Sequence, residues 1–237
     1  MIERTEDGGI VTLRLAHGKV SALDLEFGQE LRRQLSASRE ARAVILTGTG
    51  SSFSAGVDLF RMTDGGAEYV ERFWPALTGL LEELFLFPRP VIAAANGHAI
   101  AGGCLLVAAS DYRLMSGGKI GVPELLVGVP FPAIAVEILK FAAGRDAQYL
   151  AYSGITLPAE EARGRGLVDE VVEPDRLLAR AREVAEKLAA IPAESFRITK
   201  VQLRRGTDVD AESKAVWTRP DVHAHIREYL ARTVRQK

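Results

Sequence analysis

The chain has 237 residues, with 30 basic against 31 acidic side chains, a formal net charge of −1, 47% hydrophobic residues and a single cysteine. That balance excludes a global positive field for nucleic acid or an acidic membrane, and it excludes disorder. One cysteine makes neither an internal disulfide nor a Cys-rich zinc site, and the length buries a sizeable core as one large domain or two small ones.

Met1 to Asp7 carries acidic residues early and no apolar h-region, so neither a secretory signal nor a transit peptide is expected and a soluble cytoplasmic protein is the default. Ile10 to Leu15 alternates, with Val11, Leu13 and Leu15 on one face, as a strand does. Leu23, Phe27, Leu31 and Leu35 recur at helical spacing. Ala43 to Thr47 is a short β-branched run that predicts a buried strand, followed by loop chemistry at Thr49-Gly50-Ser51-Ser52. Ala67 to Leu86 predicts a helix stopped by Pro88 and Pro90. Val91 to Ala95 predicts a strand, Asn96-Gly97 a turn, Gly102-Gly103 the start of a helix, and Tyr112 to Met115 a further strand. Helices are expected over Ile134–Ala142, Ala147–Tyr152 and a face from Leu177 to Leu188, with a short strand at Val168–Val172. Strands alternating with helices through the first 170 residues argue α/β with mostly parallel pairing. No Pro- or Ser-rich linker divides the chain, which predicts one α/β core over 1–190 and a helical part over 191–237.

From Pro90 to Ser110 there is no Asp, Glu, Lys or Arg. About 20 apolar residues can cross a bilayer, but Asn96-Gly97 and Gly102-Gly103 would break the backbone bonding that lipid demands. Two buried core elements joined by a turn fit better than a membrane span.

Nucleophile-elbow, Walker and HExxH signals are absent. Of the four histidines, His223 and His225 lie two apart, which on a helix sends them to different faces; solvated surface is favoured over a metal site. Cys104 reads as a small core residue rather than a reactive thiol. Two turns are more informative: Phe53-Ser54-Ala55-Gly56-Val57-Asp58-Leu59 and Asn96 to Cys104. Each follows a strand and leads into a helix. Free N–H groups converging from two such turns would make an oxyanion hole, although strand–Gly–helix turns also occur throughout α/β proteins for packing alone.

FSAGVDL, PVIAAANGHAIAGGCLLVAASDYRL and GVPELLVGVP, in that order, resemble the crotonase (enoyl-CoA hydratase/isomerase) superfamily; GKVSALDLEF and ARGRGLVDEVV fit as well, from about Ile10 to beyond Pro192. The resemblance implies a ClpP/crotonase α/β core of repeated ββα units with a helical C-terminal part that assembles trimers or pairs of trimers. It implies an acyl-CoA thioester substrate, no metal and no cofactor beyond the coenzyme A that the substrate carries. It assigns the oxyanion hole to the amides of Ala55 and Gly102, and the coenzyme contacts to Ala22, Leu23, Val57, Asp58 and Leu59, with Asp58 fixing its own loop. Leu105, Leu126 and Phe131, with Trp74, are expected along the acyl pocket.

The hydratases of this superfamily use two glutamates. One corresponds to Glu124; the other falls three residues after Gly102, where this chain has Leu105. A lone carboxylate can move a proton from C2 to C4 and so shift a double bond, and the pattern is similar to the Δ3,Δ2-enoyl-CoA isomerases in particular. Burial among Val122, Pro123, Leu125 and Leu126 would raise the pKa of Glu124 toward the working pH. A surface glutamate after a proline, a hydratase that recruits another group, and a non-catalytic acyl-CoA-binding protein are the alternatives.

Overall fold

A computed structural model describes residues 1–206, 210–217, 219–222, 224 and 226. The chain opens with a hairpin of β1 (Ile2–Asp7) and β2 (Ile10–Leu15), then α1 (Leu25–Ser36). Three successive units follow, each of two strands and a helix. They are β3 (Ala43–Thr47), β4 (Ser52–Ser54) and α2 (Leu59–Phe85); β5 (Val91–Ala95), β6 (His98–Ile100) and α3 (Gly102–Ala108); and β7 (Tyr112–Met115), β8 (Lys119–Gly121) and α4 (Glu124–Val127). Beyond them lie α5 (Ala133–Ala143), α6 (Ala147–Ser153), β9 (Thr156–Pro158), α7 (Ala159–Gly164), β10 (Glu170–Val171), α8 (Leu177–Ala189), α9 (Ala193–Arg205) and α10 (Asp210–Trp217).

Each unit gives its first strand to one sheet and its second strand to another. The large sheet runs β1-β2-β3-β5-β7-β10 and the small one β4-β6-β8-β9. β2, β3, β5, β7 and β10 pair in parallel, with β1 antiparallel at one edge. The large sheet is covered on both faces, which is why its central strands read as continuous apolar runs rather than alternating ones. On one face Ile10, Ile45, Ile92 and Leu114 pack against Leu177, Ala181 and Val184 of α8. On the other, Leu13, Val44, Leu46 and Ala93 join the main core with α1, α2 and α3. Fully burying one such aliphatic side chain is worth about 1.5–3 kcal/mol.

Several elements depart from the sequence expectation. The predicted α1 stripe began at Leu23, but the helix starts two residues later because Asp24 caps it, its carboxylate accepting from Phe27 N at 2.7 Å. Leu23 lies outside, bridged to Val57. α2 starts at Leu59 and breaks at Gly66 (φ 57°, ψ −153°), so the regular run begins where it was predicted, after the break. β1, β4, β6, β8 and β9 leave no readable pattern in the sequence. Four of these have three residues each, too short for a period, and β1 is largely exposed.

The charge-free stretch becomes β5, β6 and α3, with Ile92, Ala94, Ala99, Leu106 and Val107 fully buried. Among the described residues no helix is long and apolar enough to cross a membrane. α9 is stitched onto this core by charge: Asp111 accepts from Lys200 Nζ at 2.8 Å and from Arg204 Nη2 at 2.8 Å.

Candidate active site

The two turns singled out in the sequence meet. Gly56 has φ +80°, and a Cβ there would lie 2.5 Å from the Ile100 carbonyl and 2.9 Å from Gly102 N; only glycine permits that contact. A Cβ on Gly102 would in turn lie 2.7 Å from Leu23 Cδ1 and 3.8 Å from Val57 N. Leu23, Val57 and Gly102 therefore surround one point. The two described non-glycine residues with positive φ stand next to it: Ser21 (φ 48°), just before Ala22, and Ala101 (φ 51°), just before Gly102. Strain of this kind persists where the surrounding structure enforces it, which is common at active sites.

The backbone pairing decides which amides are free. Leu23 N donates to the Gly56 carbonyl at 2.7 Å, and Asp58 N donates to the Leu23 carbonyl at 3.0 Å. In an extended segment successive N–H groups point to opposite sides. The amide of Val57, between those two bonds, therefore points away from Leu23. Ala55 stands on the far side of Gly56, whose φ of +80° breaks that alternation, and its amide donates to the Val20 carbonyl at 3.0 Å. This corrects the expectation for Ala55: its amide is used inside the protein. Gly102 is the first residue of α3, where no intrahelical acceptor exists. Among the described residues, neither Val57 N–H nor Gly102 N–H has a hydrogen-bond partner.

Glu124 opens α4. The loop before it is held to the start of α3, because Ala101 N donates to the Gly121 carbonyl at 2.8 Å. Its Oε2 is buried and has no partner within the protein. Burial pushes its pKa from the ordinary carboxylate value up to about 7. Cys104 is fully buried, and its thiol is pushed up first by that burial and then by the Glu124 carboxylate. The carboxylate and the first turn of α3 are thus within electrostatic reach of each other. Leu105, in that same helix, is 3% exposed, and its amide donates to the Ala101 carbonyl at 3.1 Å.

The other expected residues divide. Ala22 is half-buried beside Leu23. Asp58 caps α2, accepting from Arg61 N at 3.1 Å. Leu59 is exposed on the first turn of α2, and Phe131 packs half-buried against the main core. Leu126 is 70% exposed and leans on Gly154 at the end of α6, while Trp74 is exposed on α2; nothing ties either to the amide pair. His223 and His225 lie outside the described residues. Among the described ones no cluster of His, Cys, Asp or Glu could hold a metal ion.

The family profile described as enoyl-CoA hydratase/isomerase matches residues 5–232. Enoyl-CoA delta isomerase 1, mitochondrial, of Rattus norvegicus is 33% identical over 215 residues, 87% of this chain and 74% of that one. A putative enoyl-CoA hydratase of Thermus thermophilus is 35% identical over 170 residues, 70% of this chain and 67% of that one. The crystal structure of an enoyl-CoA hydratase from Mycobacterium smegmatis superposes with a TM-score of 0.86 at 27% identity, covering 98% of this chain and 96% of that one. The paired-sheet ββα architecture, the meeting of the two glycine turns and these matches lead to one assignment: the chain belongs to the enoyl-CoA hydratase/isomerase family and has its crotonase-type fold.

Proposed function

We propose that this protein is an acyl-CoA isomerase that converts a 3-enoyl thioester into the conjugated 2-enoyl thioester. The observation that carries this reading is the pairing of one carboxylate with one hydrocarbon: Glu124, half-buried with a partnerless oxygen, and the buried Leu105 of α3. The thioester carbonyl would accept from Val57 N–H and Gly102 N–H. Both donors are fixed by the fold and need no reorganisation as negative charge develops on that oxygen. Glu124 takes a proton from C2, the enolate is held by the two amides, and the same carboxyl returns a proton at C4. A pKa near 7 suits a group that must accept and then donate at neutral pH. Proton transfer of this kind uses no metal or redox group, and coenzyme A enters with the substrate.

Addition of water would require a second group to orient and deprotonate it, and the Leu105 side chain can do neither. Relatives of both kinds match the chain, so the test compares the two reactions directly. With 3-hexenoyl-CoA the expected outcome is a rise in conjugated-thioester absorbance that depends on Glu124. Binding of acyl-CoA with no such rise would refute the isomerase; hydration of 2-hexenoyl-CoA would then mark a hydratase, and no turnover of either substrate an acyl-CoA-binding protein. The exposed apolar run Leu125, Leu126, Val127 and Val129 supports the further proposal of a homotrimer or pair of trimers. A single-chain mass by light scattering would count against it.

A further inference from the structure

The most completely bonded charged group among the described residues lies at the opposite end of α3 from Gly102. Arg204, its side chain 3% exposed, donates to the Phe85 carbonyl, to the Ala109 carbonyl at 2.7 Å, to the Ser110 carbonyl at 3.1 Å and to Asp111 Oδ1 at 2.8 Å. Its guanidinium also lies over the rings of Phe85 and Phe141. Asp111 Oδ2 accepts from Lys200 Nζ, 4% exposed, and from Val91 N at the start of β5. Burial pulls the Lys200 pKa down to about 8, and below that pH two cations and one anion leave a net charge of +1 buried at this end of the helix. The neighbouring Arg113 is matched by Asp169 at 2.7 Å.

The geometry points to Arg204 and Lys200 as positioning residues for the enolate: from α9 they pin the C-terminal end of α3 and set a net positive charge behind the helix whose first amide, Gly102, polarises the thioester carbonyl. Two features separate this from simple docking of α9. The bonds go to the carbonyls of Ala109 and Ser110, which close α3, so a shift at Arg204 moves the helix that carries Gly102 as a rigid piece. The charge is also sequestered from solvent and therefore poorly screened. α3 spans seven residues, which at about 1.5 Å per residue puts the cluster about 11 Å from Gly102 N. The enolate oxygen lies one hydrogen bond, about 3 Å, farther, and at about 14 Å with an effective dielectric near 20 one net charge changes its stability by a factor of roughly five to ten. The inference rests on the proposed role of the Gly102 amide, and the experiment separates the two.

The experiment uses butyryl-CoA labelled with ¹³C at the thioester carbonyl, a saturated ligand that cannot react, and reads the carbonyl stretch by infrared difference spectroscopy. Wild type, Lys200→Met, Arg204→Met and Arg204→Lys are each saturated with it. The stretch should fall on binding to wild type and fall less in Lys200→Met and Arg204→Met, with Arg204→Lys restoring part of the difference. The kcat for 3-hexenoyl-CoA should drop about threefold to tenfold in the two Met variants while KM stays within about twofold. Lys200→Met touches no α3 carbonyl, so it decides the electrostatic part even where Arg204→Met does not fold. Wild-type stretch and kcat in folded variants that have only lost thermal stability would overturn the proposal. No change in stretch when wild type binds the ligand would instead overturn the role given to the Gly102 amide.

Discussion

Glu124 holds a carboxyl oxygen out of solvent with nothing to bond it, an arrangement that favours the neutral acid and costs the native state when the group ionises. Its folded pKa of about 7 lies above the ordinary 4.5. The group is neutral in both folded and unfolded chains below pH 4.5; the native state loses stability as pH rises from there and the loss is complete above 7. Glu124→Gln should therefore be more stable than wild type at pH 8 by about 1–3 kcal/mol, melting at a higher temperature there, and match it near pH 4. The same variant should lose about 10²–10⁴ in kcat while still binding acyl-CoA. The wild-type rate should rise with pH through about 7, as the carboxylate that takes the C2 proton forms. Thermal melts and pH–rate profiles of the two proteins check both signs. At Leu105 the complementary change, Leu105→Glu, should introduce measurable hydration of crotonyl-CoA. An unchanged background rate in a folded variant would show that the missing second carboxylate is not what blocks water addition.

At the scale of elements, the site is a contact between two turns, and Gly56 is where they touch. Gly56→Ala would place a methyl group 2.5 Å from the Ile100 carbonyl at φ +80°. It should cost about 1–3 kcal/mol and lower kcat more than a comparable surface substitution, measured by denaturant unfolding alongside turnover. This scale also shows how far the sequence could be read. β3 and β5 were visible as Ala43–Thr47 and Val91–Ala95 because strands buried on both faces write their burial as an unbroken apolar run. β4, β6 and β8 were not, since three residues containing Ser, His, Lys or Gly carry no period, and they exist through pairing alone. Glu124 stood out only through the resemblance, as local composition does not separate it from a surface acid. The Ala55 amide is taken by the Val20 carbonyl while the Val57 amide is left free, and the difference has a physical reason. Which amide is left free follows from the bridge between Leu23 and Val57, and no side-chain pattern reports the direction of a backbone N–H.

Across the whole molecule, the 21-residue stretch without charge is buried over most of its length by apolar packing and is anchored at its end by charges placed elsewhere in sequence. Asp111 is the first charged residue after the stretch, and it binds Lys200 and Arg204 from a helix about ninety residues later. Removing one member of a buried ion cluster leaves the others uncompensated, so Asp111→Ala should destabilise the protein by about 3–5 kcal/mol. Loss of cooperative unfolding in calorimetry would be the extreme form of that result. The stretch thus holds half of the candidate oxyanion hole at one end and an ion cluster at the other, with Leu105 between them. What this arrangement is for is tested most directly by giving wild-type protein equal concentrations of 3-hexenoyl-CoA and 2-hexenoyl-CoA and measuring isomerisation and hydration under the same conditions. One glutamate, with a leucine where a second would stand, requires isomerisation to exceed hydration by at least about a hundredfold; comparable rates, or hydration alone, would contradict it.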